Sequence, residues 1–194
     1  MIIKILRHAE TIWNSGDKIF QGHYDIGISQ RGKEQCLGFS ARKGYKYVYT
    51  SPLKRCTDTI KYINFPNKIT KDKRLMEIDT GKYTGMPNKL VKENNPDWWS
   101  KWIVSPQNTC FPDGECLTDL HRRVFSFFSE LNSLHNFDDK ILIVTHGGVI
   151  RVLLSVIESK NLSKFWRYDI KNLFELDFKE TDLDTFLSAK TINE

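Results

Sequence analysis

The sequence predicts an α/β fold built around an open sheet. Residues 1–6 and residues 141–145 are short apolar runs, each of a length that suits a strand buried on both faces. Arg7 and His8 follow the first run, and His146 follows the second. Because ligands bind beyond the carboxyl ends of strands in such sheets, we expect these three side chains to meet at one site. The alternative for the first pair is an arginine at the sheet edge beside a surface histidine.

Length and composition favour one compact domain that binds a small anion. The chain has 194 residues, of which 40% are hydrophobic and 27% are charged, enough to bury most of its apolar surface in one core. Its 29 basic and 24 acidic residues are scattered without a basic block, which favours an anionic small molecule over nucleic acid. No apolar run reaches about 18 residues and no signal segment is recognisable, so we expect no membrane partner and a cytoplasmic location.

The cysteines favour reduced thiols rather than a metal site. Cys36, Cys56, Cys110 and Cys116 include no CxxC pair. Although Cys110 and Cys116 could ligate a metal, no Cys or His pair nearby has zinc-finger spacing, so we interpret both as packing or loop residues. We therefore expect no metal and no other cofactor.

The glycine-rich stretch over residues 14–32 predicts a long loop near the site. Glycines let backbone amides approach an anion closely, and Asn14 and Gln21 would add neutral donors. A plain surface excursion is the alternative.

The following segment predicts a helix, a strand and a second helix that carries a cation. The patterns indicate a helix over residues 29–42 and a strand over residues 45–50. Ser51 and the proline after it then predict a helix start, with the serine as its cap. Arg55 would lie in the first turn, where the helix dipole disfavours a cation unless an anion binds beside it. The alternative is a solvent-facing Arg55 paired with Asp58.

Residues 75–85 read LMEIDTGKYTG and place Glu77 between apolar neighbours. The pattern predicts a strand end or turn that holds the carboxylate against a partly apolar wall, a setting that suits a proton donor. An ordinary exposed glutamate is the alternative.

Residues 86–112 predict a lid-like insertion within a single domain over residues 1–194. Prolines interrupt this segment and no regular periodicity covers it, so we expect a short helix within an irregular excursion. Loops on a rigid scaffold carry specificity, so its cations could meet anionic parts of a substrate. These cations are Lys89, Lys92 and Lys101. Its aromatic residues could stack on a ring or anchor the segment to the core. They are Trp98, Trp99 and Trp102.

The last third of the chain predicts two helices and an edge strand. Apolar residues at three-four spacing indicate a structural helix over residues 117–136. Two glycines after His146 indicate a sharp turn with free backbone N–H groups, followed by a buried helix over residues 149–158. Residues 172–178 predict an edge strand, and we expect the polar tail from residue 180 to be loosely held.

Taken together, these motifs resemble the ordered signature of a known family. LRHAETIWN, TSPLKRC, LMEIDTGKYTG, FPDGECL and VTHGGVIR occur in the order found in the histidine phosphatase superfamily, phosphoglycerate mutase-like branch. The match runs over residues 1–172. The resemblance implies a three-layer α/β/α sandwich with a mixed, mostly parallel sheet, and a metal-independent phosphomonoesterase that hydrolyses a small phosphorylated metabolite.

The resemblance also implies a role for each site residue. The reaction would pass through a phosphohistidine on His8, with Glu77 as proton donor. Two arginines near an imidazole disfavour its protonated form, so the group that binds phosphate also prepares the nucleophile. The transferring phosphoryl group would be held by Arg7, Arg55 and His146. The surrounding phosphate-binding residues would be Asn14, Gln21, Gly22 and Gly147.

Several alternatives remain open. The segment over residues 85–114 is short and lacks the paired arginines with which the family's mutases grip phosphoglycerate, so we prefer phosphatase to phosphoglycerate mutase-type transfer. The α-ribazole phosphatase, phosphoserine phosphatase and broad-specificity groups are not separated. A non-catalytic module that binds phosphorylated ligands is a rival, as is a zinc hydrolase that uses His8, His146 and Glu77. The sequence does not determine the oligomeric state, including whether the chain is a homodimer.

Overall fold

The computed structural model describes residues 1–38, 44–65 and 68–190, and it shows a five-stranded mixed sheet. The strands are β1 (Ile2–Arg7), β2 (Tyr47–Thr50), β3 (Ile69–Lys71), β4 (Lys140–Thr145) and β5 (Glu175–Phe178). Their order is β3-β2-β4-β1-β5, and only β5 is antiparallel to its neighbour. The predicted α/β fold with a mostly parallel sheet is therefore confirmed. The sequence patterns missed β3, since all three of its residues are exposed and show no apolar alternation.

Helices cover both faces of this sheet. They are α1 (Gln30–Leu37), α2 (Lys54–Tyr62), α3 (Asn88–Asn94), α4 (Pro96–Val104), α5 (Leu117–Leu134), α6 (Gly147–Ser159) and α7 (Glu180–Ser188). Side chains of a strand alternate between faces, and β4 shows this directly. Ile141 and Ile143 join the core under α5, α6 and α7, whereas Leu142 and Val144 join the core under α1 and α2. Two cores on opposite faces make the three-layer sandwich.

Several predicted helix boundaries shift: α6 begins at Gly147 rather than at residue 149, and α5 ends at Leu134 rather than at residue 136. The α2 helix begins at Lys54, with Leu53 at its N-cap, so the predicted start at Ser51 is wrong. Ser51 is fully buried and its hydroxyl contacts a histidine of the site, as described below. The α1 helix has the predicted serine N-cap and ends at Leu37, and the rest of its predicted range, to residue 42, lies largely outside the described residues.

The expectation of a loosely held tail is wrong. Residues 180–188 form α7, which buries Leu183 and Phe186 against the core. The Phe186 ring lies 5.7 Å from Phe128 of α5 between ring centroids. Two apolar residues one turn apart were enough to fix this helix, although its outer face is polar.

The segment over residues 86–112 contains two helices, α3 and α4, rather than one short helix. Trp102 is 2% exposed and its ring centroid lies 4.8 Å from Phe111 and 5.6 Å from Phe165. Trp102 therefore anchors the segment to the rest of the domain.

The expectation of four reduced thiols is wrong for one pair. Cys110 and Cys116 form a disulfide, with their Cα atoms 4.1 Å apart. A tight turn between them, closed by the hydrogen bond from the amide of Phe111 to the carbonyl of Glu115, brings the two side chains together. Cys36 and Cys56 are free and buried. Within residues 1–38, 44–65 and 68–190, no helix is long and apolar enough to span a bilayer.

Candidate active site

The pairing of β1 with β4 brings the two predicted histidines together. Arg7 is aligned with Thr145 in this parallel ladder, and the amide of His8 donates to the carbonyl of Thr145 at 2.9 Å. The next residues of both strands are therefore neighbours. The ring centroids of His8 and His146 lie 5.2 Å apart.

His8 is a buried, neutral imidazole with a defined tautomer. Its side chain is 2% exposed, and Nδ1 lies 2.7 Å from the carbonyl oxygen of Ala9. Because a carbonyl only accepts hydrogen bonds, Nδ1 carries the proton and Nε2 carries the lone pair. Burial, followed by the positive charges of Arg7 and Arg55, lowers the pKa of His8 well below its ordinary value. Nε2 is therefore unprotonated at neutral pH.

Arg55 is fully buried in the first turn of α2. Its Nε donates to Nδ1 of His146 at 3.1 Å, and Nη2 donates to the carbonyl of Gly22 at 2.8 Å. Asp58 pairs with Lys54 instead, so the alternative of a solvent-facing arginine paired with Asp58 is wrong. Burial lowers the pKa of Arg55, but a guanidinium stays charged at neutral pH.

Gly22 adopts a left-handed conformation, with φ of +46°, where the glycine-rich loop meets Arg55. A Cβ at this position would overlap the hydroxyl of Thr80. Only glycine therefore lets the loop approach closely enough to accept the hydrogen bond from Arg55.

His146 is buried and uses both ring nitrogens within the protein. Its Nδ1 accepts from Arg55, so Nε2 carries the proton and donates to Oγ of Ser51 at 2.8 Å. Burial, followed by the charge of Arg55, lowers its pKa well below the ordinary value. The neighbouring thiol of Cys56 stays protonated, because burial raises its pKa to about 12.

Arg7 has a buried donor with no partner among the described residues. Its Nη1 donates to the carbonyl of Ile170 at 2.6 Å, while its Nε is buried and unbonded within the described ranges. Burial is the main cause that lowers its pKa to about 10, so it remains charged at neutral pH. A buried charged donor without a partner is costly, and an anion would relieve that cost.

Glu77 is held at the N-terminus of α6. Its Oε2 accepts from the amide of Gly148 at 3.1 Å, and Oε1 accepts from its neighbour Ile78 at 2.9 Å. A Cβ on Gly148 would overlap Oε1 of Glu77. The second glycine of the HGG turn is therefore required for the carboxylate to reach this position.

A cavity of about 440 Å³ collects most of the predicted residues. Those in its wall are Arg7, His8, Asn14, Gln21, Gly22, Arg55 and Glu77. Asn14 uses its Oδ1 to accept from Asn172 at 3.2 Å, and Gln21 is 9% exposed. His146 and Gly147 lie behind this wall: Gly147 packs against Arg7, since a Cβ there would lie 3.6 Å from the Arg7 Nε.

This ordered constellation of two arginines, two imidazoles and a carboxylate coincides with a family match. The family model for the histidine phosphatase superfamily (branch 1) matches residues 3–182. The chain belongs to the histidine phosphatase superfamily. Together with the phosphatases among its relatives, membership identifies the chain as a phosphatase.

Similar proteins have several different names. Phosphoserine phosphatase 1 of Hydrogenobacter thermophilus is 31% identical over 173 residues, covering 87% of this chain and 81% of that protein. The probable phosphoglycerate mutase GpmB of Salmonella arizonae is 29% identical over 160 residues, covering 80% of this chain and 74% of that protein. The structure of a putative α-ribazole-5′-phosphate phosphatase from Escherichia coli aligns with a TM-score of 0.80 and 20% identity. The alignment covers 93% of this chain and 92% of the Escherichia coli chain. The last likeness shows the fold alone.

In this histidine phosphatase, the cations at the cavity differ from those expected. Lys89, Lys92 and Lys101, which could meet anionic parts of a substrate, are exposed and lie outside the cavity wall. The wall instead contains Lys18, Lys171 and Arg151. None of these was singled out from the sequence, because an isolated cation in a loop or on a buried helix has no periodic signal. The segment over residues 86–112 does contribute Trp99 and Trp102 to the wall.

Arg123 is a further residue that the sequence reasoning missed. From α5 it donates to the carbonyl oxygens of residues 74, 76 and 77, at 2.9, 2.6 and 2.8 Å. It also donates to both carboxylate oxygens of Glu115, which in turn accepts from the amide of Asp79. These contacts fix the backbone on both sides of Glu77. The apolar periodicity of α5 indicated only its buried face. It could not predict the hydrogen bonds that Arg123 makes from this helix.

Arg123→Gln should destabilise the protein and slow its turnover. The change removes the charged donor from three carbonyls and Glu115, of which, among the described residues, only the Glu77 carbonyl and Glu115 keep a contact, with His23 and with the amide of Asp79. The free energy of unfolding should therefore fall by about 2–3 kcal/mol. Turnover at saturating substrate should fall because the backbone around Glu77 loses its hydrogen bonds from Arg123. The control is Arg122→Gln: Arg122 is largely exposed and pairs only with Asp119 among the described residues. The role assigned to Arg123 is refuted if urea unfolding and turnover respond equally weakly in both variants.

Acid should destabilise the protein through its buried histidines. Burial lowers the pKa of His8, His146 and His121, the last to about 4, whereas histidine in an unfolded chain has a pKa of about 6.5. Below pH 6.5 the unfolded chain therefore binds more protons than the folded one. The free energy of unfolding should fall by up to about 1.4 kcal/mol per pH unit for each histidine. Urea unfolding between pH 7.5 and 5.5 measures this slope, and His121→Gln should reduce it; a flat profile would contradict the prediction.

Proposed function

We propose that this phosphatase hydrolyses a small phosphate monoester through a phosphohistidine on His8. The observation that carries the proposal is the state of His8: it lines the cavity, its Nδ1 donates to the carbonyl of Ala9, and burial, followed by the charges of Arg7 and Arg55, keeps the imidazole neutral with an unprotonated Nε2. A pure binding module would not require a neutral nucleophile. The family's phosphatase-named relatives support the same reaction class.

In the first step, Nε2 of His8 attacks phosphorus and the P–O bond to the alcohol breaks. The hydrogen bond from Nδ1 to Ala9 stabilises the positive charge that develops on the ring. Arg7 and Arg55 neutralise the oxygens of the transferring group, and the unpartnered Nε of Arg7 is a donor ready for one of them. We assign Glu77 the transfer of a proton to the departing alkoxide.

In the second step, a water molecule attacks the phosphohistidine and the N–P bond breaks. Glu77, now a carboxylate, accepts the proton of that water, which releases inorganic phosphate and restores the free imidazole. We assign His146 a positioning role, because its Nδ1 holds Nε of Arg55 while Ser51 fixes the ring from the other side. Asn14, Gln21, Gly22 and Gly147 complete the surroundings of the phosphate.

His8→Ala should abolish turnover and covalent labelling while the fold is retained. The nucleophile is lost, but alanine fits wherever the larger imidazole did. Rapid acid or base quenching after mixing with a ³²P-labelled ester should show acid-labile, base-stable label on the wild-type protein only. Substantial turnover in the folded variant would refute the nucleophile assignment.

Glu77→Gln should slow the hydrolysis of esters with poor leaving groups most. An alkoxide needs a proton as it departs, whereas a nitrophenolate does not, so we expect about a 100-fold loss for alkyl phosphates in single-turnover measurements. The loss for p-nitrophenyl phosphate in the first step should be much smaller. Equal losses for both would point to positioning rather than proton transfer.

A zinc hydrolase and a mutase are the competing functions. Within the described residues, no group of three or more His, Cys, Asp or Glu side chains is arranged to hold a metal. Retained activity after dialysis against a chelator would support the phosphohistidine route over a zinc route. The similarity to a probable phosphoglycerate mutase keeps phosphoryl transfer in view, and product analysis with 3-phosphoglycerate would separate transfer from hydrolysis.

We further propose that residues 86–112 form a lid that selects the leaving group. Trp99 contributes to the cavity wall, whereas Lys92 on α3 is exposed outside it. Trp99→Ala should therefore raise KM for natural phosphate esters several-fold and affect p-nitrophenyl phosphate less. Lys92→Ala is the matched control and should change neither. If Trp99→Ala lowered turnover of every substrate by the same factor, the segment would be a closure element instead.

A further inference from the structure

Arg151 is a cation that the reaction described above does not use. It lies on α6, one turn after Gly147, and its Nε donates to the carbonyl of Tyr168 at 3.1 Å. Its guanidinium carbon lies 5.2 Å from the ring centroid of Trp166 and 5.9 Å from that of Phe165. One hydrogen bond and two aromatic faces therefore fix the plane of the guanidinium.

The other two nitrogens of Arg151, Nη1 and Nη2, are available as hydrogen-bond donors. Within residues 1–38, 44–65 and 68–190, Nη1 and Nη2 form no hydrogen bond. Burial lowers the pKa of Arg151 and the charges of Glu77 and Asp169 partly offset this, although neither carboxylate forms an ion pair with Arg151 in that part of the chain. Arg151 also belongs to the cavity wall, as do both carboxylates. An oriented guanidinium with two parallel donors is suited to a planar carboxylate.

Arg151 lies beside Arg7, where the start of α6 meets the wall formed by residues 165–172. A Cβ on Gly147 would lie 3.2 Å from Nη1 of Arg151 and 3.6 Å from Nε of Arg7, so the two guanidinium groups flank the same glycine. Arg151 also contacts the carbonyl of Tyr168 and the ring of Trp166, whereas Arg55 contacts Gly22 and His146. Because the phosphoryl group is assigned to Arg7 and Arg55, we assign the leaving group to the part of the wall that Arg151 shares with residues 165–172.

We propose that Arg151 forms a leaving-group subsite that binds a carboxylate, so that the preferred substrates are phosphate esters of hydroxy acids and hydroxy amino acids. The inference rests on the proposed phosphomonoesterase function. It adds a selective contact that the phosphate cluster does not supply. The rings of Phe165 and Trp166 hold the guanidinium of Arg151 in place before the substrate binds, which lowers the entropic cost of binding.

Matched substrates that differ in one carboxylate test this subsite. The first pair is O-phospho-L-serine and O-phosphoethanolamine, and the second is 3-phosphoglycerate and glycerol 3-phosphate. For wild-type protein we expect kcat/KM to be at least tenfold higher for one or both carboxylate-bearing members. Arg151→Gln should lower that preference at least tenfold. Arg151→Lys, which keeps the charge but not the fork, should retain part of it.

Controls separate this inference from the function on which it rests. Arg122→Gln should leave every ratio unchanged, and circular dichroism with thermal unfolding checks that the Arg151 variants fold. If Arg151→Gln does not fold, the ratio in Arg151→Lys decides. An equal loss on all substrates, or no preference in the wild type, would overturn the subsite while His8-dependent hydrolysis of p-nitrophenyl phosphate survives. Absence of that hydrolysis would instead overturn the proposed function, and the subsite with it.

Discussion

The parallel pairing of β1 with β4 is the constraint on which the site depends. The register that aligns Arg7 with Thr145 makes His8 and His146 neighbours beyond the sheet edge. A shift of one residue would move every side chain of β1 to the opposite face and would separate the two rings. Both strands are central and apolar, and they pack into cores on both faces. The stability of the two cores is therefore what holds the chemical groups in register.

Burial of cations gives this site its chemical character. Arg55 is fully buried, and its charge is stabilised by the carbonyls of Gly22 and Tyr24 and by Nδ1 of His146. Burial, and then the charge of Arg55, lowers the pKa of both imidazoles and keeps them neutral, because a buried imidazolium beside a guanidinium would be poorly solvated and repelled. In the proposed mechanism, phosphate recognition and nucleophile activation thus follow from one arrangement of charge. The arrangement is costly without an anion, as the unpartnered Nε of Arg7 illustrates.

Sequence patterns predicted the parts of the site that follow regular elements, and they missed the parts that depend on tertiary contacts. The apolar runs before His8 and before His146 indicated strand ends, so the meeting of these residues could be predicted. Arg123 and Arg151 could not, since each lies on a helix whose periodicity reports only the apolar face. The Cys110–Cys116 disulfide escaped prediction because it depends on a turn of the intervening residues rather than on a spacing rule.

The two glycines after His146 determine where Arg7 and Glu77 lie relative to each other. Gly148 donates its amide to Glu77 and leaves room for the carboxylate, while Gly147 leaves room for Arg7 and Arg151 on the other side. A side chain at either position would displace a charged group. The start of α6 therefore sets the distance between the guanidinium of Arg7 and the carboxylate of Glu77. The opposite wall is built from residues 86–112 and 165–172, which lie outside the sheet. The chemistry is therefore tied to the rigid sheet edge, and selectivity can change in that wall without disturbing the register of β1 and β4.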